Sequence, residues 1–308
     1  MKRTKLKGLQ TQAKQENIFC FCILIFFFIQ WGIFWLYANL NSIRLAFSYF
    51  NTSVDEYLLL PANRFFENFA DFFSLLITPR GGEFLLNGAY FHLITSVVCL
   101  PISYMVAFII YKKLPFSGIF KVVLYLPAIL SGMVVILLYR HYITALATEN
   151  GFRGIFTDPS TSRWIVSLYV LFTGIPSGLL VNLGSMSRVP SELIEYGELE
   201  GISLWKEFVL ITVPMIFPVL QVQCLGLFTG FFTTQGPLFT FYNRNAPDEL
   251  QTFGYYMFMA VYEGVDGMSK QDMYGFTSAA NLSIGLMSIP IVQGTKWLFD
   301  KFDPGAEF

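Results

Sequence analysis

The sequence predicts an all-α, polytopic membrane protein with about six transmembrane helices. Three observations carry that expectation. Charged residues make up only 13% of the chain and hydrophobic ones 54%, whereas soluble domains average roughly 25% charged. Apolar runs of membrane-crossing length recur along the whole chain. The polar stretches between them divide their basic residues unequally, as the two sides of a membrane demand.

The first 17 residues are polar and carry Lys2, Arg3, Lys5, Lys7 and Lys14. They read as a segment on the inner side. "IFCFCILIFFFIQWGIFWLYANL" (18–40) follows with 23 residues, enough for a span, which needs about 20. A secretory signal has an apolar core of only about 7–15 residues and ends in small ones. Trp31, Trp35 and Tyr37 stand where that cleavage site belongs, so this is read as an uncleaved first span. Further spans are expected near 87–111, 117–140, 164–185, 208–232 and 274–297. Pro101, Pro127, Pro176, Pro214, Pro218 and Pro290 interrupt them, which is tolerated where neighbouring helices satisfy the freed backbone groups. Gly174, Gly178 and Gly184, with Gly226 and Gly230 in a G-x-x-x-G, predict close helix approach. Segment 41–86 reads as an outer loop punctuated by turns at "NTSVDEY" and "PRGGEF". One membrane domain is expected over 18–300, followed by a tail at 301–308.

Orientation follows from Lys and Arg. With the N-terminus inside, segments 1–17, 112–121, 186–207 and the tail from Lys296 hold twelve of the twenty basic residues in about 62 positions. The outer segments 41–86, 140–163 and 233–273 hold eight in about 111. Basic residues are thus more than twice as dense on the side assigned as inner, which places both termini in the cytoplasm.

Other functional classes find little support. A net charge of −1 without a dense basic tract offers nothing to nucleic acid. Cys20, Cys22, Cys99 and Cys224 lie in apolar runs, where free cysteine acts as a small hydrophobe. His92 and His141 are far apart, and no metal-ligand spacing accompanies them. No metal site is expected.

The stretch "ELIEYGELEGISLWKEF" (192–208) breaks the apolar pattern. Its six charges would cost roughly 15–20 kcal/mol at a bilayer centre, while its six Leu, Ile and Phe residues would return only about 2–4. It therefore lies outside the lipid. Pro190 suits a helix start, and Glu192 and Glu195 sit where a helix N-terminus favours acids. Leu193, Ile194, Gly197 and Leu199 recur at helical steps and predict one apolar face. Gly201 supplies a left-handed stop, and Ser203 can cap a second helix. The acidic polar face suits a grooved protein partner better than anionic lipid.

The stretch "VPSELIEYGELEGISLWKEFVLITVPMIFPVL" (189–220) resembles the EAA loop of permease subunits of bacterial ABC importers. Glu195 matches that pattern's glutamate, Tyr196 and Gly197 its two alanines, Glu200 its aspartate, Gly201 its glycine and Pro214 its proline. "YLPAILSGMVVILLYRHYI" (125–143) and "TTQGPLFTFY" (233–242) resemble its Leu-Pro span and Gly-Gly-Pro outer loop. The likeness covers roughly 85–300 and is nearest the carbohydrate branch, of the maltose and multiple-sugar type.

This resemblance implies the type I importer permease fold and half of a pore in the bacterial cytoplasmic membrane. It implies a second permease subunit, ATPase subunits beneath and an extracytoplasmic solute-binding protein outside. Loop 187–213 is then the ATPase-coupling element, with Glu195, Glu200, Gly201, Leu204, Trp205 and Phe208 as contacts. The chain has no G-x-x-x-x-G-K, so it is expected to bind no nucleotide itself and to rely on ATP used by the partner.

Polar residues inside spans are the candidates for the solute path: Asn182, Gln221, Gln223, Asn281 and Ser283. Gln221 and Gln223 are about 200° apart on a helix, so both cannot face one pore. A sugar or oligosaccharide is the favoured solute; polyamine or phosphate remains an alternative. A standalone ion-coupled carrier fits less well, because the predicted span interiors hold almost no ionisable residues.

Overall fold

The computed structural model describes residues 18–152 and 154–301. The expected N-terminal segment 1–17 and the end of the tail, 302–308, lie outside the described residues. Among the described residues the chain is helical apart from one two-stranded hairpin. It divides into two compact units: residues through Phe72 with Gln271–Leu282, and Phe73–Lys270 with residues from Ser283 onward.

In the first unit, α1 (Ile18–Ala46) runs six residues past its expected end, with a mean hydropathy of 2.4 and no buried residue in its apolar window. A helical stretch apolar on every side has the composition of a membrane span. The following segment is not simply a loop. β1 (Ser48–Asn51) and β2 (Glu56–Leu59) pair antiparallel, and the turn between them needs Asp55 at φ +56°. The Asn68 amide donates to the carbonyls of Ala46 (2.9 Å) and Ser48 (3.0 Å). Gly275, on α12 (Lys270–Lys301), passes so near that an added Cβ would lie 2.5 Å from the Ser48 carbonyl oxygen. The alternation that could have revealed the hairpin spans only four residues per strand, too few to stand out from apolar surroundings.

In the second unit, α3 (Pro79–Tyr111) begins well before its expected start at 87. "PRGGEF" is its first turn. The Thr78 hydroxyl accepts from the Gly81 amide at 3.2 Å, and Pro79 takes the first helical position, the place where its missing N–H costs nothing. Gly81 is required here, because a Cβ would sit 2.0 Å from the Leu75 carbonyl oxygen at the end of α2 (Glu67–Ile77). α6 (Pro159–Met186) likewise starts early, on Asp158, which accepts from the Thr161 amide at 3.0 Å.

The third and fifth spans are broken. α4 (Ser117–Ile129) and α5 (Gly132–Glu149) form a pair bent by 102°, and α8 (Leu204–Met215) and α9 (Phe217–Gly230) one bent by 74°. The proline-interrupted spans expected near 117–140 and 208–232 correspond to these two bent pairs. Prolines bend a helix by removing a donor and clashing with the carbonyl four residues back, but they do not announce which one breaks it. Pro101 and Pro214 follow π turns at Ile94–Cys99 and Phe208–Thr212. The carbonyls four back, on Val97 and Leu210, fall within those wider turns, which relieves the clash, and α3 runs through unbroken.

Two clusters hold this unit together. One joins Phe91, Val135, Ile136, Val166 and Tyr169 to Leu238 and Phe241 of α10 (Leu238–Tyr242) and Tyr255 of α11 (Phe253–Tyr262). The other joins Tyr104, Ala107 and Phe108 of α3, Leu179 and Met186 of α6, Phe208 of α8 and Ile216. Of the glycines expected at close approaches, Gly174 is one: an added Cβ would lie 2.8 Å from Cys99 Sγ. Gly178 is in ordinary contact distance of Asn182, whereas an added Cβ at Gly184, Gly226 or Gly230 would meet nothing within 4 Å.

Candidate functional site

The second cluster is the base from which the charged loop projects. α6 ends at Met186, and Pro190 leads into α7 (Ser191–Leu199). The stop at Gly201 is a Schellman arrangement. The Ile202 amide donates to the Gly197 carbonyl and the Gly201 amide to the Glu198 carbonyl, both at 3.1 Å, with Gly201 at φ +68°. This geometry satisfies the last carbonyls of α7 and needs a residue free of Cβ strain. Ser203 then caps α8, accepting from the Lys206 amide at 3.4 Å.

The apolar residues of the loop divide between two faces, a correction to the single face expected. Ile194 and Gly197 turn inward, and an added Cβ on Gly197 would meet Ile202 Cδ1 at 2.8 Å and Ile211 Cδ1 at 3.0 Å. Leu193, Tyr196 and Leu199 are exposed, Leu199 by 87%, as are Leu204 and Trp205. Glu195, Glu200 and Gly201 are also exposed. Phe208 is placed differently from the other expected contacts. It is buried, with its ring 5.1 Å from Phe108 and 5.7 Å from Trp205. It roots the loop in the second cluster. Tyr196 and Leu199 belong to the outer face but were not among the expected contacts; their spacing from Leu193 was visible in sequence, their direction was not.

A charged cluster that sequence reasoning missed joins the loop to α3. Lys112 follows the last turn of α3, and its ammonium lies 3.1 Å from Glu198 Oε1 and 3.0 Å from Glu207 Oε1. Burial alone would lower the Lys112 pKa, but the two carboxylates outweigh it and raise it. The partners are 86 and 95 positions apart in sequence, and no local pattern links them.

A cleft of about 330 Å³ opens higher along α3 and α6. Asn182, only 1% exposed, donates to the Ser103 hydroxyl at 3.0 Å and accepts from the Gln223 amide at 2.8 Å. All three line the cleft with Thr95, Ser177 and Gly178. Its polar groups are neutral donors and acceptors. Gln221 points elsewhere and donates to Asp300 at 2.8 Å, as the 200° separation requires. Ser283 is buried outside the cleft lining, and Asn281, in the other unit, is exposed. Of the five solute-path candidates the structure brings two together. Among the described residues no group of three or more His, Cys, Asp or Glu side chains is placed to hold a metal.

No family model matches the chain. Two solved structures share its fold. One is a bacterial alginate ABC transporter in complex with an alginate pentasaccharide-bound periplasmic protein, with a TM-score of 0.71, 14% identity, and coverage of 94% of this chain and 96% of that one. The other is a bacterial ABC transporter involved in import of the acidic polysaccharide alginate, with a TM-score of 0.72, 15% identity, and coverage of 95% and 99%. The chain is therefore a polytopic membrane protein with the fold of an ABC importer permease.

Its sequence relatives narrow the class. It is 22% identical over 229 residues to the maltose/maltodextrin transport system permease protein MalF of Shigella flexneri, covering 68% of this chain and 44% of the relative. It is 24% identical over 217 residues to the arabinooligosaccharides permease protein AraP of Bacillus subtilis strain 168, covering 67% and 66%. It is 26% identical over 289 residues to the galactooligosaccharides permease protein GanP of the same organism, covering 86% and 66%. The chain spans less than half the length of the maltose permease and about two thirds of the other two. Its sequence similarity is thus to permease proteins of maltose/maltodextrin, arabinooligosaccharide and galactooligosaccharide transport systems.

Proposed function

We propose that this chain forms half of the pore of an ATP-driven importer that carries a neutral oligosaccharide into the cell. In this reading loop 187–213 couples the pore to an ATPase subunit. The observation that carries it is the outer face of α7 and α8, where Leu193, Tyr196, Leu199, Leu204 and Trp205 stand exposed beside Glu192, Glu195 and Glu200. Such a face is expensive in water and suits a partner's groove. The inner face of the same loop packs into the bundle, so a push on the loop moves the helices with it.

Both termini are cytoplasmic in this orientation, and the ATPase docks from that side. A second permease subunit completes the pore, and a binding protein delivers the solute from outside. The chain binds no nucleotide itself; ATP is used by the partner. Neutral hydrogen-bonding groups from Asn182, Ser103 and Gln223 suit hydroxyls and give an ion-coupled carrier no carboxylate or imidazole relay.

The test has two arms. Purification through a tag on this chain should recover an ATPase subunit whose hydrolysis rises when a binding protein loaded with a neutral oligosaccharide is added. A Glu200→Cys variant should react with impermeant maleimide only in inside-out vesicles. Labelling from outside the cell, or recovery of the chain with no ATPase, refutes the reading.

A further inference from the structure

We propose that Lys112 is a positioning residue that ties both helices of the coupling loop to α3, making α3 a second lever between ATPase and pore. The inference rests on the coupling role proposed above. α6 runs directly into the loop and needs no extra device to follow its motion. α3 has no such chain connection; its end touches the loop through side chains.

Those contacts bring three elements to one ammonium, through an exposed Glu198 carboxylate and a buried Glu207 one. Glu198 lies on α7 and Glu207 on α8, on opposite sides of the turn at Gly201, and Lys112 pairs with both. One ammonium thus spans the break in the loop. The Glu207 side chain is 3% exposed and that of Lys112 14%, and a carboxylate so buried must keep its partner. One turn back along α3, Phe108 packs on Phe208. Further along, Ser103, Cys99 and Thr95 line the cleft. At 1.5 Å per residue these lie about 14–26 Å from Lys112 along a continuous helix. Displacement at the joint therefore reaches the cleft wall as rigid-body motion of α3.

The test uses the whole importer, purified through this chain and held in nanodiscs, with the four native cysteines replaced by Ala. Ser177→Cys, on the cleft lining and exposed, reports opening through its maleimide reaction rate with and without ATP and vanadate. The otherwise native complex should change that rate at least fivefold. Lys112→Met should keep the ATPase bound but reduce the change to less than twofold, and Lys112→Arg should restore it. The double variant Lys112→Met with Glu207→Gln removes the orphaned charge; it should assemble normally and still fail to respond, and it decides the matter if the single variant does not assemble.

A full response in the Lys112→Met or double variant overturns the proposal, as does loss of the ATPase from the double variant. A native complex that recruits no ATPase instead overturns the coupling reading on which this one stands.

Discussion

Gly201 offers the sharpest test of the coupling surface, because its cost can be isolated. Its φ is +68°, and nothing lies within 4 Å of an added Cβ. A substitution there is opposed only by backbone strain, with no collision and no lost packing. A non-glycine residue in the left-handed region costs about 1–2 kcal/mol, and a β-branched one more. If the turn opens to relieve that strain, Leu199 and Leu204 no longer share one surface. At about 1.4 kcal/mol per decade, Gly201→Ala should weaken ATPase binding roughly 5–30-fold, and Gly201→Val by the upper end of that range or beyond. Gly201→Asn should lose least, because Asn tolerates this conformation. The assay is titration of the detergent-purified permease with fluorescently labelled ATPase subunit. Native-like binding by Gly201→Val, or equal losses for Asn and Val, would refute the argument that this turn holds the surface together.

Three further outcomes follow from where side chains sit. Leu199→Asp, at an exposed position, should leave thermal stability within about 0.5 kcal/mol yet abolish ATPase recovery; normal recovery would remove Leu199 from the interface. Phe208→Ala should behave in the opposite way. Deleting that buried ring should cost about 3–5 kcal/mol and lower the yield of folded protein, and unchanged thermal unfolding would contradict its packing on Phe108. Asn182→Leu removes the donor to the buried Ser103 hydroxyl and the acceptor of the half-buried Gln223 amide, at about 1–3 kcal/mol for the buried group left unsatisfied. It should reduce oligosaccharide uptake by proteoliposomes while ATPase recovery stays intact, and undiminished uptake would take Asn182 off the path.

The wrong expectations and the right ones separate along a physical line. Spans were located because burial in lipid depends on summed apolar area, a property of composition within a window. In the charged stretch at 192–208 the glycine stop and serine cap were readable because both are local backbone effects. By contrast, several prolines were candidates for breaking spans, and it takes the packed structure to show that α3 absorbs Pro101 while the helices break at Leu130–Ser131 and Ile216. "PRGGEF" was read as a turn because its glycines favour one, yet capping by Thr78 and the close passage of α2 make it helix.

Taken alone, the sequence determined a mainly helical chain with about six apolar stretches of membrane-crossing length and one charged stretch built as two helices around Gly201, since hydrophobicity and backbone conformation act over a few neighbouring residues. Only tertiary structure decided that Phe208 faces inward and Leu199 outward, that Asn182 meets Gln223 while Gln221 turns to Asp300, and that Lys112 pairs with Glu198 and Glu207. Each of these depends on the rotation of one helix against another. That rotation is set by packing between residues far apart in the chain, where no periodicity within a single segment records it.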